Sequence, residues 1–283
     1  MVCCGALAAD DAETFRFRLT MTGHTDMELD GKRHKIGTET VILYRRMRQG
    51  HDVNVVCDSV AVKNSSDGAV SYEGYMDRVK TIFTGQNGKK QELTAEQDPA
   101  LRKTLEASFG TILAKLELND DGAPAKQTIN NHPAAKDFVA SGMVTNCLLF
   151  HAPYSTDASK QKWTRAIEYS MLGGGAATGE LTYEKQPDSP SETGSGGDKQ
   201  PSVKVTGSLK APTLRDSYGR IMARNVQVDI AGQQTFDLAT KEWLAGTLTA
   251  TVNFSLQDGD RGATTAKSAT EIKLERVGDG KKK

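Results

Sequence analysis

His151, Ser155 and Asp157 fall within one short stretch, "HAPYSTDASK", and supply the residue types of a nucleophilic hydrolase: a base, a hydroxyl and a carboxylate to orient the base. Triads assemble from distant segments, however, and the chain contains no G-x-S-x-G elbow. The stretch therefore reads as a polar loop leaving a helix, and a hydrolase is the alternative function. His24, Asp26 and His34 offer zinc-ligand chemistry. Against it, the pair Asp30-Gly31 calls for a two-residue hairpin turn that sets Glu28 opposite Arg33, Met27 opposite His34 and Asp26 opposite Lys35. That register turns His34 to the other face and gives Asp26 a lysine partner. Glu92 with Glu96 and Asp120 with Asp121 read as a helix approach and a turn. The glycines at 173–175 and 194–197 precede no helix that could receive a phosphate, and Asp258, Asp260 and Gly262 lack the EF-hand spacing. No catalytic residue, metal or cofactor is assigned.

Trp163 and Trp243 each stand at the entrance of a strand. An indole there seals the end of a core, or rims the mouth of a ligand cavity, so these two residues are the ligand-mouth candidates. Cys57 alternates with Val53 and Val55, and Cys147 follows Met143 by one helical turn. Both fall on apolar faces, which favours buried thiols over a disulfide between them. No Cys-x-x-Cys or Cys/His spacing suggests zinc.

The elements that must position these groups are strands. In "GTLTATVNFSLQ" Leu248, Ala250, Val252, Phe254 and Leu256 alternate with Thr249, Thr251, Asn253, Ser255 and Gln257, the pattern of a strand with one buried and one wet face. The same period recurs at Phe15/Phe17/Leu19, Ile112/Ala114/Leu116, Leu181/Tyr183, Val203/Val205 and Val226/Val228/Ile230. The fold class that follows is mainly β, a large antiparallel curved sheet of about 10–12 strands, closed as a half-barrel, barrel or sandwich. "NDDGAP" and "LATKEW" mark further hairpin ends. Two helices interrupt the middle of the chain, 98–150. In "EQDPALRKTLEASFG" Asp98 caps, Pro99 starts and Gly110 follows the first, and Pro133 opens a second that carries Phe138, Met143 and Cys147. The segment 186–201 reads as a flexible hairpin tip, since lengthening a loop costs only about 0.6 kcal/mol per doubling. Residues 13–277 then form a single β-rich domain, followed by a solvated basic tail at 278–283.

At 283 residues, with 37% hydrophobic and 25% charged residues, the chain can bury a core of its own. Its 36 basic and 36 acidic residues cancel, which argues against a nucleic-acid partner. No apolar run is long enough for a membrane-spanning helix. Residues 1–12, "MVCCGALAADDA", hold an apolar stretch ending in the small-x-small Ala6-Leu7-Ala8. This matches the tail of a signal peptide whose start lies upstream, or else a short disordered leader.

A sheet of ten strands at about 4.8 Å spacing is near 50 Å wide, while two helices of about 10 Å diameter cover only four or five strands. The rest of the apolar face must close on the sheet itself or line a hollow open to an apolar ligand. The leader, the one-face-apolar strands and the endings "FDLATKEWLAGTLTATVNFSLQ" and "SATEIKLERV" together resemble the secreted β-rich proteins of unknown function from planctomycete-type bacteria. That resemblance implies an envelope or secreted location and carries no catalytic residues. A fainter, fold-level similarity is to periplasmic lipoprotein carriers, whose half-barrels hold acyl chains. The expected function is a non-enzymatic secreted or periplasmic protein that binds a lipid or other apolar, envelope-derived ligand, or serves as a structural interaction module.

Overall fold

The computed structural model describes residues 13–29, 32–119, 124–129, 154, 159–170, 176–186, 200–215, 221–257 and 263–279. In chain order these form β1 (Glu13–Leu29), β2 (Lys32–Gln49), β3 (Asp52–Ser66), β4 (Ala69–Asp77), β5 (Lys80–Gly85), β6 (Lys90–Thr94), α1 (Pro99–Ser108), β7 (Ile112–Leu118), β8 (Pro124–Ile129), β9 (Lys162–Ser170), β10 (Ala176–Lys185), β11 (Ser202–Arg215), β12 (Ile221–Asp237), β13 (Glu242–Gln257) and β14 (Ala263–Asp279). All strands belong to one sheet, ordered β6-β5-β4-β3-β2-β1-β14-β13-β12-β11-β10-β9, with β7 on β3 and β8 on β7. Every described ladder is antiparallel. Two meanders, β1–β6 and β9–β14, are joined where the first strand pairs with the last.

The chain is mainly β, as expected, with fourteen strands in place of the expected 10–12. The additional ones are short: β5 "KTIFTG" and β6 "KQELT" show no clean alternation. Of the two expected helices, α1 forms where the sequence placed it. Asp98 accepts from the backbone N–H of Ala100 and Leu101, Pro99 opens the first turn, and Gly110 follows at φ +72. The second, at 133–150, lies outside the described residues. The β1–β2 hairpin has the expected register, Leu29 opposite Lys32 through Asp26 opposite Lys35. On its wet face the ion pair formed is the diagonal one, Arg33 to Asp26 at 3.3 Å.

Alternation delivers one face of the sheet to the core. Leu19, Val60, Val205, Val228, Leu248 and Ile272 are fully buried on this inner face. Leu105 of α1 and Phe109 at its C-cap join the same cluster, with Leu101, one turn before Leu105, packed against it. These inner residues are closed to solvent.

The sheet forks at β3. Its first half, Asp52–Val56, pairs with β7, and its second, Ser59–Ser66, pairs with β4. At the fork the β2–β3 register shifts, and Arg45 Nε donates to both oxygens of Asp58 at 2.9 and 3.0 Å. Gly110 N–H, just past α1, donates to the Cys57 carbonyl at 2.9 Å. On the far side of the sheet, glycines let strands bend toward the core. A Cβ on Gly232 would collide with the Thr247 carbonyl and with Leu248, and one on Gly207 with the Glu180 carbonyl and Leu181. The leucine side chain leans over its neighbouring glycine in each case, a bend only a residue without a side chain permits.

Gly232→Ala is expected to cost about 1–3 kcal/mol by overpacking, whereas Thr249→Ala on the wet face stays within about 0.5 kcal/mol. Urea unfolding midpoints of the two variants check this, and equal midpoints would show that the sheet does not need the close approach.

Candidate functional site

An accessible concavity among the described residues lies on the face opposite the core. Cross-strand register aligns Val41, Ala61, Tyr75 and Ile82 in one row across β2, β3, β4 and β5. A second row, Glu39, Lys63, Glu73, Thr84 and Lys90, runs beside it and reaches β6. The two rows line a groove of about 580 Å³, within the size range of small-molecule sites. Its apolar residues are half-buried. The strands position it because Val41, Ala61, Tyr75 and Ile82 occupy the positions between the core-facing Ile42, Val60 and Met76 and their neighbours. These strands are thus apolar on both faces.

The polar groups of the groove are mostly engaged. Lys63 Nζ stands 3.3 Å from Glu73, and Lys90 Nζ 3.8 Å from Glu92, which also meets Lys80 at 3.3 Å. The Tyr75 hydroxyl donates to Asp77 at 2.9 Å. Partial burial together with that hydrogen bond raises the Tyr75 phenol above its ordinary value. Asp77 moves the other way: its burial is outweighed by hydrogen bonds from the Val79 and Lys80 backbone N–H groups and from Tyr75.

The two tryptophans lie at one end of the core, within one run of aromatic contacts. Tyr154 meets Trp163 edge-on at 6.3 Å and stacks on Phe236 at 4.6 Å, Phe236 meets Trp243 at 5.1 Å, and Trp163 stacks on Tyr183 at 5.7 Å. Trp243 is 2% exposed and Trp163 8%. Burial pushes the Tyr183 phenol up to about 12. Its hydroxyl, the Trp163 Nε1 and both amide atoms of Gln234 are buried without a hydrogen-bond partner.

The same end carries charge that sequence inspection missed. Arg46 on β2 donates to Glu242 on β13, and both side chains are at most 5% exposed. Three strand spacings separate β2 from β13, about 14 Å on a flat sheet, so this contact requires the inner face to curl. Burial raises the Glu242 carboxyl, against the pull of Arg46, Arg48 and Arg276. Next to it Arg276 donates to Asp237 at 3.0 Å and to Thr240 at 3.0 Å. Burial alone would raise Asp237, but the hydrogen bonds from Thr240, Arg276 and the backbone hold it below its ordinary value.

His151, Ser155, Asp157 and Cys147 lie outside the described residues. Cys57 is buried, its Sγ 3.7 Å from the carbonyl oxygens of Leu43 and Ser59. His34 Nδ1 is 3.4 Å from Asp67, away from Asp26, which accepts from Arg33.

No protein-family model matches the chain, and no curated protein matches it. Among solved structures, a lipovitellin chain described under lipid–protein interactions is 10% identical with TM-score 0.47, over 94% of this chain and 25% of that one. The chain thus spans about a quarter of the length of that protein. The translocator domain of autotransporter NalP from Neisseria meningitidis is 8% identical with TM-score 0.23, over 94% and 88% of the two chains. A domain from Vibrio parahaemolyticus assigned to outer-membrane lipoprotein sorting is 8% identical with TM-score 0.20, over 94% and 86%. The planctomycete-type family is not among these findings. Scores this low carry no argument about function, which rests on the residues themselves.

Glu242→Gln is expected to destabilise the fold by about 3–5 kcal/mol, because it strands the Arg46 guanidinium in a dry site, while Arg46→Met with Glu242→Leu recovers most of the loss. Chemical denaturation of the three proteins measures it. Asp237, lowered in the folded state, stabilises the protein above its ordinary pKa, and that contribution is lost as pH falls through the lowered value. Asp237→Asn should therefore lower stability at neutral pH and flatten its decline in acid, read from unfolding midpoints between pH 7 and pH about 2.

Proposed function

We propose that the protein is a non-enzymatic, extracytoplasmic β protein that binds an amphipathic apolar ligand in the groove over β2–β6. The groove itself carries the reading. Most of the sheet presents polar residues to solvent on its outer face, as an antiparallel sheet with one covered side should. Among the described residues, four adjacent strands here set apolar side chains in line on that face, beside a charged row. Apolar surface left accessible and rimmed by polar groups is the ordinary composition of a ligand site. The extracytoplasmic placement is supported by the Ala6-Leu7-Ala8 leader, and cell fractionation tests it.

A structural interaction module is the second reading, favoured by the exposure of Val70, Tyr72 and Leu93 on β4 and β6. The two are separated by titration with the uncharged fluorescent probe N-phenyl-1-naphthylamine and by mass spectrometry of lipid extracted from the purified protein. Saturable binding, weakened at least about tenfold in Ile82→Glu, is the expected result; a tenfold loss corresponds to about 1.4 kcal/mol, within what burying one such side chain contributes. Binding unchanged by Ile82→Glu would remove the groove from consideration.

A further inference from the structure

We infer that the ligand of this groove carries a positively charged head: a cationic amphiphile, its apolar part on Val41, Ala61, Tyr75 and Ile82 and its ammonium group beside Glu39. The inference rests on the preceding reading that the groove binds an amphiphile. Four lining side chains are charged, Glu39, Lys63, Glu73 and Lys90. Lys63 is held by Glu73 at 3.3 Å and Lys90 by Glu92 at 3.8 Å. Among the described residues Glu39 is the one lining charge with no opposite charge at ion-pair distance. Its neighbours do not supply one. Along β2 the same face offers Gly37 and Val41, across on β1 it offers Thr22, and across on β3 stands Lys63, already engaged.

On β2–β4 a negative head meets few donors. Both lysines are paired, and the Tyr75 hydroxyl is committed to Asp77 at 2.9 Å. The half of the groove on β2–β4 therefore holds two carboxylates against one ammonium, and an anionic head would meet net repulsion there. A neutral head leaves Glu39 as it is. An ammonium group gains an attractive partner at the rim, and the electron-rich face of an aromatic ring such as Tyr75 attracts cations as well. The Glu39 carboxylate is exposed, so the gain is modest and salt-sensitive.

The test is calorimetric titration with decylammonium, decyl maltoside and decyl sulfate, each below its micelle concentration. The cationic probe should bind about two- to fivefold more tightly than the uncharged one, the anionic probe least tightly, and added salt should narrow the gap. Glu39→Gln should abolish the cationic advantage while leaving the uncharged probe unaffected, which also reports that the variant is folded. Equal binding of the cationic and uncharged probes, or an advantage that survives in Glu39→Gln, overturns the charge inference and leaves the groove standing. Binding of none of the three by the native protein overturns both.

Discussion

Everything in this molecule follows from a sheet that is apolar on one side and much wider than its helix. The twelve-strand path is about 53 Å across at ordinary strand spacing, while α1 has ten residues. A flat sheet would leave most of that face in water. Bending brings inner side chains from strands that are not neighbours into contact, and the molecule bends in two ways. Glycines at 207 and 232 let one backbone approach the next strand under a leucine, and the Arg46–Glu242 pair joins strands three places apart.

That pair is a poor source of stability. Removing two charges from water costs several kcal/mol each, and their attraction returns that only in good geometry with every donor satisfied. What such a pair can supply is specificity. An apolar end could slide by two residues along the strands and still bury hydrophobic surface, whereas an arginine and a glutamate in a dry site tolerate one arrangement. Arg276 with Asp237, and Phe15 beneath the Arg276 guanidinium at 5.8 Å, extend the same layer. The aromatic run from Trp163 to Trp243 then packs around it, and the polar atoms of Gln234, Tyr183 and Trp163 remain unmatched within it.

How much of this was legible in the sequence depends on how local the cause is. Leu248, Ala250 and Val252 are buried and Thr249 is exposed, as the period of two requires. The Asp30-Gly31 pair in the sequence announced the register that β1 and β2 show, and Asp98 with Pro99 a helix start. Each is decided within a few residues. Glu242 and Arg46, by contrast, are 196 residues apart, and "LATKEW" is fully explained as a hairpin end without any partner. The groove left a faint trace. Short apolar runs that break the alternation occur at Val41–Leu43, Val60–Val62, Tyr75-Met76 and Ile82-Phe83, and each alone is noise. They become a site only because three ladders place their outer members in one row, which no single strand can announce.

The fork at β3 divides the hydrogen bonding of one strand between the groove and the packed body. Strands β4, β5 and β6 hang from one half of one strand, Ser59–Ser66, while the other half is tied into the packed body through β7. Met76 on β4 packs against the buried core and Ala95, just past β6, belongs to it, so the wall of the groove and the interior share side chains as well as a strand.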